Sequence, residues 1–185
     1  MPSGHETLSA YFQSGNPDNL AVSLAAAGTP GDFGNYAPGQ LGRGNFIGDR
    51  VYVPVILDSG AVAANPVGAV LANQVAFWKN KENRIVTNDH RQAIMPTAQH
   101  ASVAGVFRRA VATPGAGGTL VAIVAKGVNI PVVAGTITNV GDAVMADSTV
   151  SVSRVISATG ILTQLGHART TANPANIDLD VPLLP

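Results

Sequence analysis

From Val51 onward the apolar positions come in short runs separated by Gly, Pro, Asn and Asp, the pattern of strands and turns. VYVPVIL (51–57) is β-branched and aromatic, and Pro54 makes it an edge strand or a bulged one. VGAVLANQVAFW (67–78) is apolar apart from Asn73-Gln74 and fits either a strand or a helix. KNKENR (79–84) is a polar turn, after which IVT continues the β pattern. NDHRQAIMPTAQ (88–99) reads as irregular, ASVAGVFRRAVA as a strand, and TPGAGG (113–118) as a loop. TLVAIVAK is rich in β-branched residues and predicts a central strand. Val140–Val144 places a Gly-Asp turn before another short strand. VSVSRVI (150–156) alternates apolar and polar residues as a half-buried strand does, and GILTQLGHA is a further strand. Near the end, Ile177, Leu179 and Val181 alternate with Asp178 and Asp180, so one face is expected in the core. The sum is eight to ten short strands with no strand–helix alternation: an all-β fold, a small barrel or sandwich.

Residues 1–50 read differently. Asn16-Pro17-Asp18 followed by NLAVSLAAAG predicts a short helix, capped by Asn16, started at Pro17 and stopped at Gly28. Gly28 to Gly48 then holds seven glycines with Pro30 and Pro38, a density that no helix or central strand tolerates. Phe33, Tyr36 and Phe46 recur among these glycines, whereas a plain linker would lack rings. Ordering such a segment costs roughly 1–2 kcal/mol per residue, so only an extensive contact would hold it. The organisation expected is therefore an N-terminal arm, 1–50, followed by a β-barrel domain, 51–185. The arm is expected to lie on a partner surface with Phe33, Tyr36 and Phe46 as anchors.

Composition narrows the partners. Eleven basic and eleven acidic residues give a neutral chain with no basic stripe for nucleic acid and no basic run for an anionic membrane. Charged residues are only 12%, so a bare surface would tend to associate, and partners are expected to cover much of it. With no cysteine, thiol chemistry and Cys-ligated zinc are excluded. No apolar run reaches the ~18 residues of a spanning helix, and no secretory signal is visible. The expectation is a protein made in a cytoplasm.

Candidate chemistry is sparse. His5, His90, His100 and His167 form no HExxH and no i, i+4 pair. A hydrolase triad through His90 or His100 would lack any GxSxG motif. A carboxylate pair would have to come from Asp142, Asp147, Asp178 and Asp180, of which Asp142 is more simply a turn residue. Lys126 in VAKGV lacks the flanking residues of a biotin or lipoate carrier, and Trp78 fits a core or interface. No cofactor, no metal and no catalytic group are expected, so the inventory favours a structural or binding protein over an enzyme.

The C-terminal two-thirds, from about residue 65, resembles the small β-barrel decoration (cement) proteins of tailed bacteriophages. The matching stretches are Ala104-Gly105-Val106, Val128 to Gly135, Gly141-Asp142-Ala143-Val144, Leu165-Gly166-His167-Ala168 and Ile177 to Leu183. That resemblance implies a virion protein on the outer capsid surface, often a homotrimer, that bridges neighbouring major capsid protein subunits and stabilises the expanded shell. The long N-terminal region departs from the family pattern. A head-fibre or tail-associated β-domain that binds a host glycan is the alternative, and a small β-barrel enzyme is the third.

Overall fold

The longest run of β-branched residues organises the molecule. In the computed structural model, which describes residues 17–19, 21–23, 45–47, 49–58, 70–93, 102–147, 154–158 and 164–181, the segment Thr119–Val132 is one 14-residue strand. In chain order the strands are β1 (Ala21–Ser23), β2 (Asn45–Ile47), β3 (Arg50–Leu57), β4 (Val75–Asn80), β5 (Ile85–Thr87), β6 (Val103–Phe107), β7 (Thr119–Val132), β8 (Ala143–Ala146), β9 (Val155–Ser157), β10 (Gly166–Ala168) and β11 (Ala175–Asp180). The fold is all-β.

Five strands close a barrel in the order β3–β5–β4–β6–β7, with β7 pairing back to β3. The closing pair is the most extensive, from Arg50↔Gly127 to Leu57↔Thr119. β5 joins β3 in parallel through Ile56↔Ile85 and Leu57↔Val86. One buried cluster draws side chains from all five staves and fills the ring: Val53, Val55 and Leu57 of β3, Ala76 and Trp78 of β4, Val86 of β5, Ala104 and Phe107 of β6, and Val121, Ile123 and Ala125 of β7. The intervening residues point the other way, as strand alternation requires, and Tyr52, Phe77, Val103, Leu120 and Val124 join a second core.

That second core lies under β11, β10, β8 and β9, which continue the sheet from the far half of β7. The sheet curls back on itself. Beyond its pairing with β8, β9 meets the chain just past β7, where Val155 N–H donates to Val133 O and Gly135 N–H to Val155 O. The transition along β7 is a bulge. Ile177 faces Ile130 and Leu179 faces Gly127, so Val128 and Asn129 stand opposite Asp178 alone. Asn129 takes φ 58° there, and its N–H donates to Asp178 Oδ1 at 3.2 Å.

Most of the predicted strands are present. Of the edge or bulge that Pro54 implies, β3 is no edge strand but lies in the barrel wall, and its pairing with β7 shifts register between Val51 and Tyr52. The N–H groups of Ile56 and Asp58 point to β5, so the ring nitrogen of Pro54 faces that same edge. On that edge β2 ends at Tyr52 and β5 begins at Ile56, so no carbonyl waits for the missing donor. The ambiguous 67–78 stretch is a bridge at Val70, a turn and then β4. The helix expected after Asn16 is corrected. Pro17–Asn19 makes one 3-10 turn, and Ala21–Ser23 is strand β1, paired with β7 at Val121, Leu120 and Thr119. The open edge of β7 offers backbone partners that override the helix preference of the Ala and Leu residues here, since so short a helix is marginal without tertiary packing. The expected 1–50 arm thus contributes two strands to the sheet, β1 on β7 and β2 on β3.

Two motif glycines show why only Gly serves. A Cβ on Gly166 (φ 156°) would lie 1.7 Å from Asp178 O across the β10–β11 pair, whereas one on Gly141 (φ 91°) would meet nothing within 4 Å. Gly166→Ala is expected to lower stability by about 3 kcal/mol or more through forced strand separation, and Gly141→Ala by about 1–2 kcal/mol through backbone conformation alone. Urea unfolding midpoints of the two variants check that ranking.

Candidate interaction surface

The polar side chains of the described residues act mainly as fasteners between distant elements. Asp18, in the 3-10 turn before β1, is the clearest case. Its Oδ1 accepts from Tyr52 OH at 3.0 Å and from Arg108 Nε at 3.1 Å. Its Oδ2 accepts from Arg108 Nη2 at 3.4 Å and lies 3.7 Å from Arg50 Nη1. Arg108 then donates from Nη1 to Asn73 Oδ1 at 2.9 Å. The Arg108 side chain is only 11% exposed, so this pair lies in poorly screened surroundings. Burial pushes the Tyr52 phenol above its ordinary value, with the Asp18 carboxylate adding to the effect and Arg50 opposing it.

A groove of about 600 Å³ lies where the β2–β3 turn, the β7 bulge and the β10–β11 pair meet, and Asp49, Lys126, Val128, Gln164, His167 and Asp178 are among its lining residues. Its charges are paired. Lys126 Nζ is 2.6 Å from Asp180 Oδ1, and Asp178 Oδ2 accepts from Arg169 at 2.5 and 2.7 Å. The Arg169 hydrogen bond, helped by the Asn129 N–H, holds the Asp178 carboxyl below its ordinary value. Such a carboxylate stays ionised and is a weak base. Exposed Val128 adds an apolar side chain to this lining, beside Leu165 and Leu179.

The four candidate carboxylates do not meet as an acid/base pair. Asp142 accepts from Asn139 N–H at 2.9 Å and Ser157 Oγ at 3.2 Å, the turn role its sequence position indicates. Asp147 is buried and accepts from Arg154 Nε at 2.8 Å, closing the β8–β9 hairpin. Asp178 and Asp180 belong to separate ion pairs. Asp89 faces Arg91 instead of forming a dyad with His90, taking its Nε at 2.9 Å and its backbone N–H at 3.0 Å. Burial alone would raise the Asp89 carboxyl, and the Arg91 contacts outweigh it, so the net shift is downward. The His90 ring stands edge-on to Phe77 at 6.4 Å. Trp78 lies in the barrel core. Of the three expected anchors, Phe46 is the middle residue of β2, in register with Val51, while Phe33 and Tyr36 lie outside the described residues, as does His100.

No protein-family model matches the chain, and no curated protein does. Among solved structures it is similar to the head fibre gp8.5 N base of bacteriophage phi29, at 15% identity and a TM-score of 0.46, over 74% of this chain and 98% of that one. At that level the two share no residue pattern from which a site is transferred.

The Asp18–Arg108 contact is among those that sequence reasoning does not reach, because no local signal links positions 90 apart. Asp18→Ala and Arg108→Ala are each expected to cost about 2 kcal/mol, with the double variant costing little more than either. A double-mutant cycle in urea checks this, and additive losses would dissolve the pair. A pH dependence also follows. Because the Asp89 and Asp178 carboxyls are depressed in the folded state, their contribution is complete above the ordinary aspartate value of 3.8 and is lost as pH falls through their folded values. The thermal midpoint should therefore drop below about pH 4, and less steeply in Asp89→Asn than in the parent.

Proposed function

We propose that this chain is a structural protein of a bacteriophage head, seated on the outside of the shell. The observation that supports this most is the way its described charges are used. Asp18, Asp58, Asp147, Asp178 and Asp180 each tie one part of the sheet to another through a cation. A body built this way holds its shape and presents surface, as a capsid attachment needs. The motif resemblance points to the same class. The neutral, weakly charged composition fits a surface that is covered on assembly.

The connector between β1 and β2 supplies the contact in this proposal. It spans residues 24–44 and carries Phe33 and Tyr36, with Phe46 on the strand where it returns. Both strands at its ends are paired to the barrel, so a grip by its rings on a capsid subunit would be passed to the barrel at two points. Buried aromatic rings carry much of the energy of protein contacts. Two forms of this role differ in copy number. A cement protein, which the motif resemblance implies, would approach the copy number of the major capsid protein. A head-fibre base, the alternative form, would be present in fewer copies.

Quantitative gel analysis of purified particles tests the proposal. The chain is expected in the particle. A near one-to-one ratio with the major capsid protein assigns the cement form, a markedly lower ratio assigns the fibre base, and absence from particles overturns both. The connector has its own test. Replacing 24–44 by a Gly-Ser linker of about fourteen residues should leave the free protein folded, with its stability changed by less than about 0.5 kcal/mol. The same variant should lose at least tenfold in affinity for isolated shells, and unchanged binding would remove Phe33 and Tyr36 from the contact.

A further inference from the structure

We infer that the N-terminal clasp, residues 17–23, is exchangeable between copies of this chain, leaving its own slot on β7 to fill the same slot of a second copy. The slot is a gap in one edge of β7. Residues 119–127 of β7 pair with β3 on one edge. On the other edge β11 takes the stretch from Lys126 onward and β6 takes Val124 and Ile123. β6 ends at Phe107, which faces Ile123, so it supplies no partner for Thr119, Leu120 or Val121. β1 fills that gap in line with β6, through Ala21↔Val121, Val22↔Leu120 and Ser23↔Thr119. Arg108 follows β6 directly at the seam and holds Asp18 just ahead of β1. The barrel edge is thus completed by a strand from a distant part of the chain, recognised by three backbone pairs and one carboxylate.

The covalent connection lets another copy provide that strand. Ser23 lies beside Thr119, which faces Leu57, while Asn45 lies beside Tyr52. By strand geometry, five residues along and three strands across, the two ends are within about 25 Å of each other. The 21 residues 24–44 reach roughly 70 Å when extended. The connector is therefore far longer than its own closure needs, and its excess exceeds the roughly 40 Å width expected for a domain of this size. A second copy offers an identical slot with the same arginine, so exchange conserves every contact of the clasp. High local concentration, as on any crowded assembly, favours the exchanged form by mass action. Exchange needs only the chain and its own copies, so it stands or falls apart from the virion proposal.

Charge exchange tests it. Asp18→Arg sets a third arginine against Arg108 and Arg50 and repels the clasp, and Arg108→Asp puts a second carboxylate at the seam and leaves Asp18 only Arg50 and Tyr52, so each variant alone has a weakened clasp. In a mixture, the arginine-bearing clasp of the first variant meets the acidic seam of the second. The unaltered Asp18 clasp of the second variant meets the unaltered Arg108 of the first. Native mass spectrometry of the equimolar mixture should show a hetero-oligomer, with a thermal midpoint above that of either variant. Two separate populations with unchanged midpoints would overturn the inference. A second measurement covers the case in which the charge variants fold poorly. The chain has no cysteine, so Val22→Cys with Leu120→Cys introduces one pair across the slot. On oxidation at high protein concentration the disulfide should join two chains, and at high dilution it should close within one. A link within one chain at every concentration would equally overturn exchange.

Discussion

Everything in this molecule hangs on one hydrogen-bonded strand being shared by two curved sheets. β7 gives one edge to β3 over most of the barrel, and gives its other edge in turn to β1, β6 and β11. Its first seven residues are buried on both faces, as a stave between two apolar layers must be, and only apolar residues and one Thr occur there. After Ala125 the burial breaks, Val128 and Asn129 are exposed, and the strand bends at the bulge before Ile130 and Val132 re-enter a core. Without that bulge the second sheet would continue the barrel wall. With it, β11, β10, β8 and β9 wrap a separate half of the apolar volume.

The sequence carried the β character of this design well. Alternation at Ile177, Leu179 and Val181 is reproduced as three buried side chains on one face of β11 and beyond. TLVAIVAK announces a central strand because both of its faces are apolar. TPGAGG and Val140–Val144 announce their turns through Gly and Asp. The glycines of the motif resemblance also have a local physical reason. At Gly105 and Gly166 a neighbouring strand's carbonyl oxygen stands 2.4 and 1.7 Å from where a Cβ would be.

What the sequence concealed is long-range. Val22, in a stretch rich in Ala and Leu, looks helical until the unfilled edge of β7 is known, and that edge comes from residues about 100 positions later. Pro54 looks like a mark of an edge because a lone strand gives no hint that β2 and β5 divide one side between them. Asp18, Arg108, Asp147 and Arg154 look like scattered surface charges, yet Asp147 is 1% exposed and pairs seven residues away across a hairpin. Local propensity cannot report which charge faces which, because that is decided by topology.

The sharing of β7 also sets an order in time. All five staves of the barrel, and β1 as well, have been synthesised once the chain reaches Gly127. β11, the partner of the remaining half of β7, arrives only about fifty residues later. During synthesis at the usual ~5–20 residues per second the first ring has seconds in which to close before its neighbour exists. In that interval the tail of β7 beyond Gly127 has neither β3 nor β11 beside it. The newborn protein thus passes through a stage at which half of it is finished and the other half is an unpaired strand.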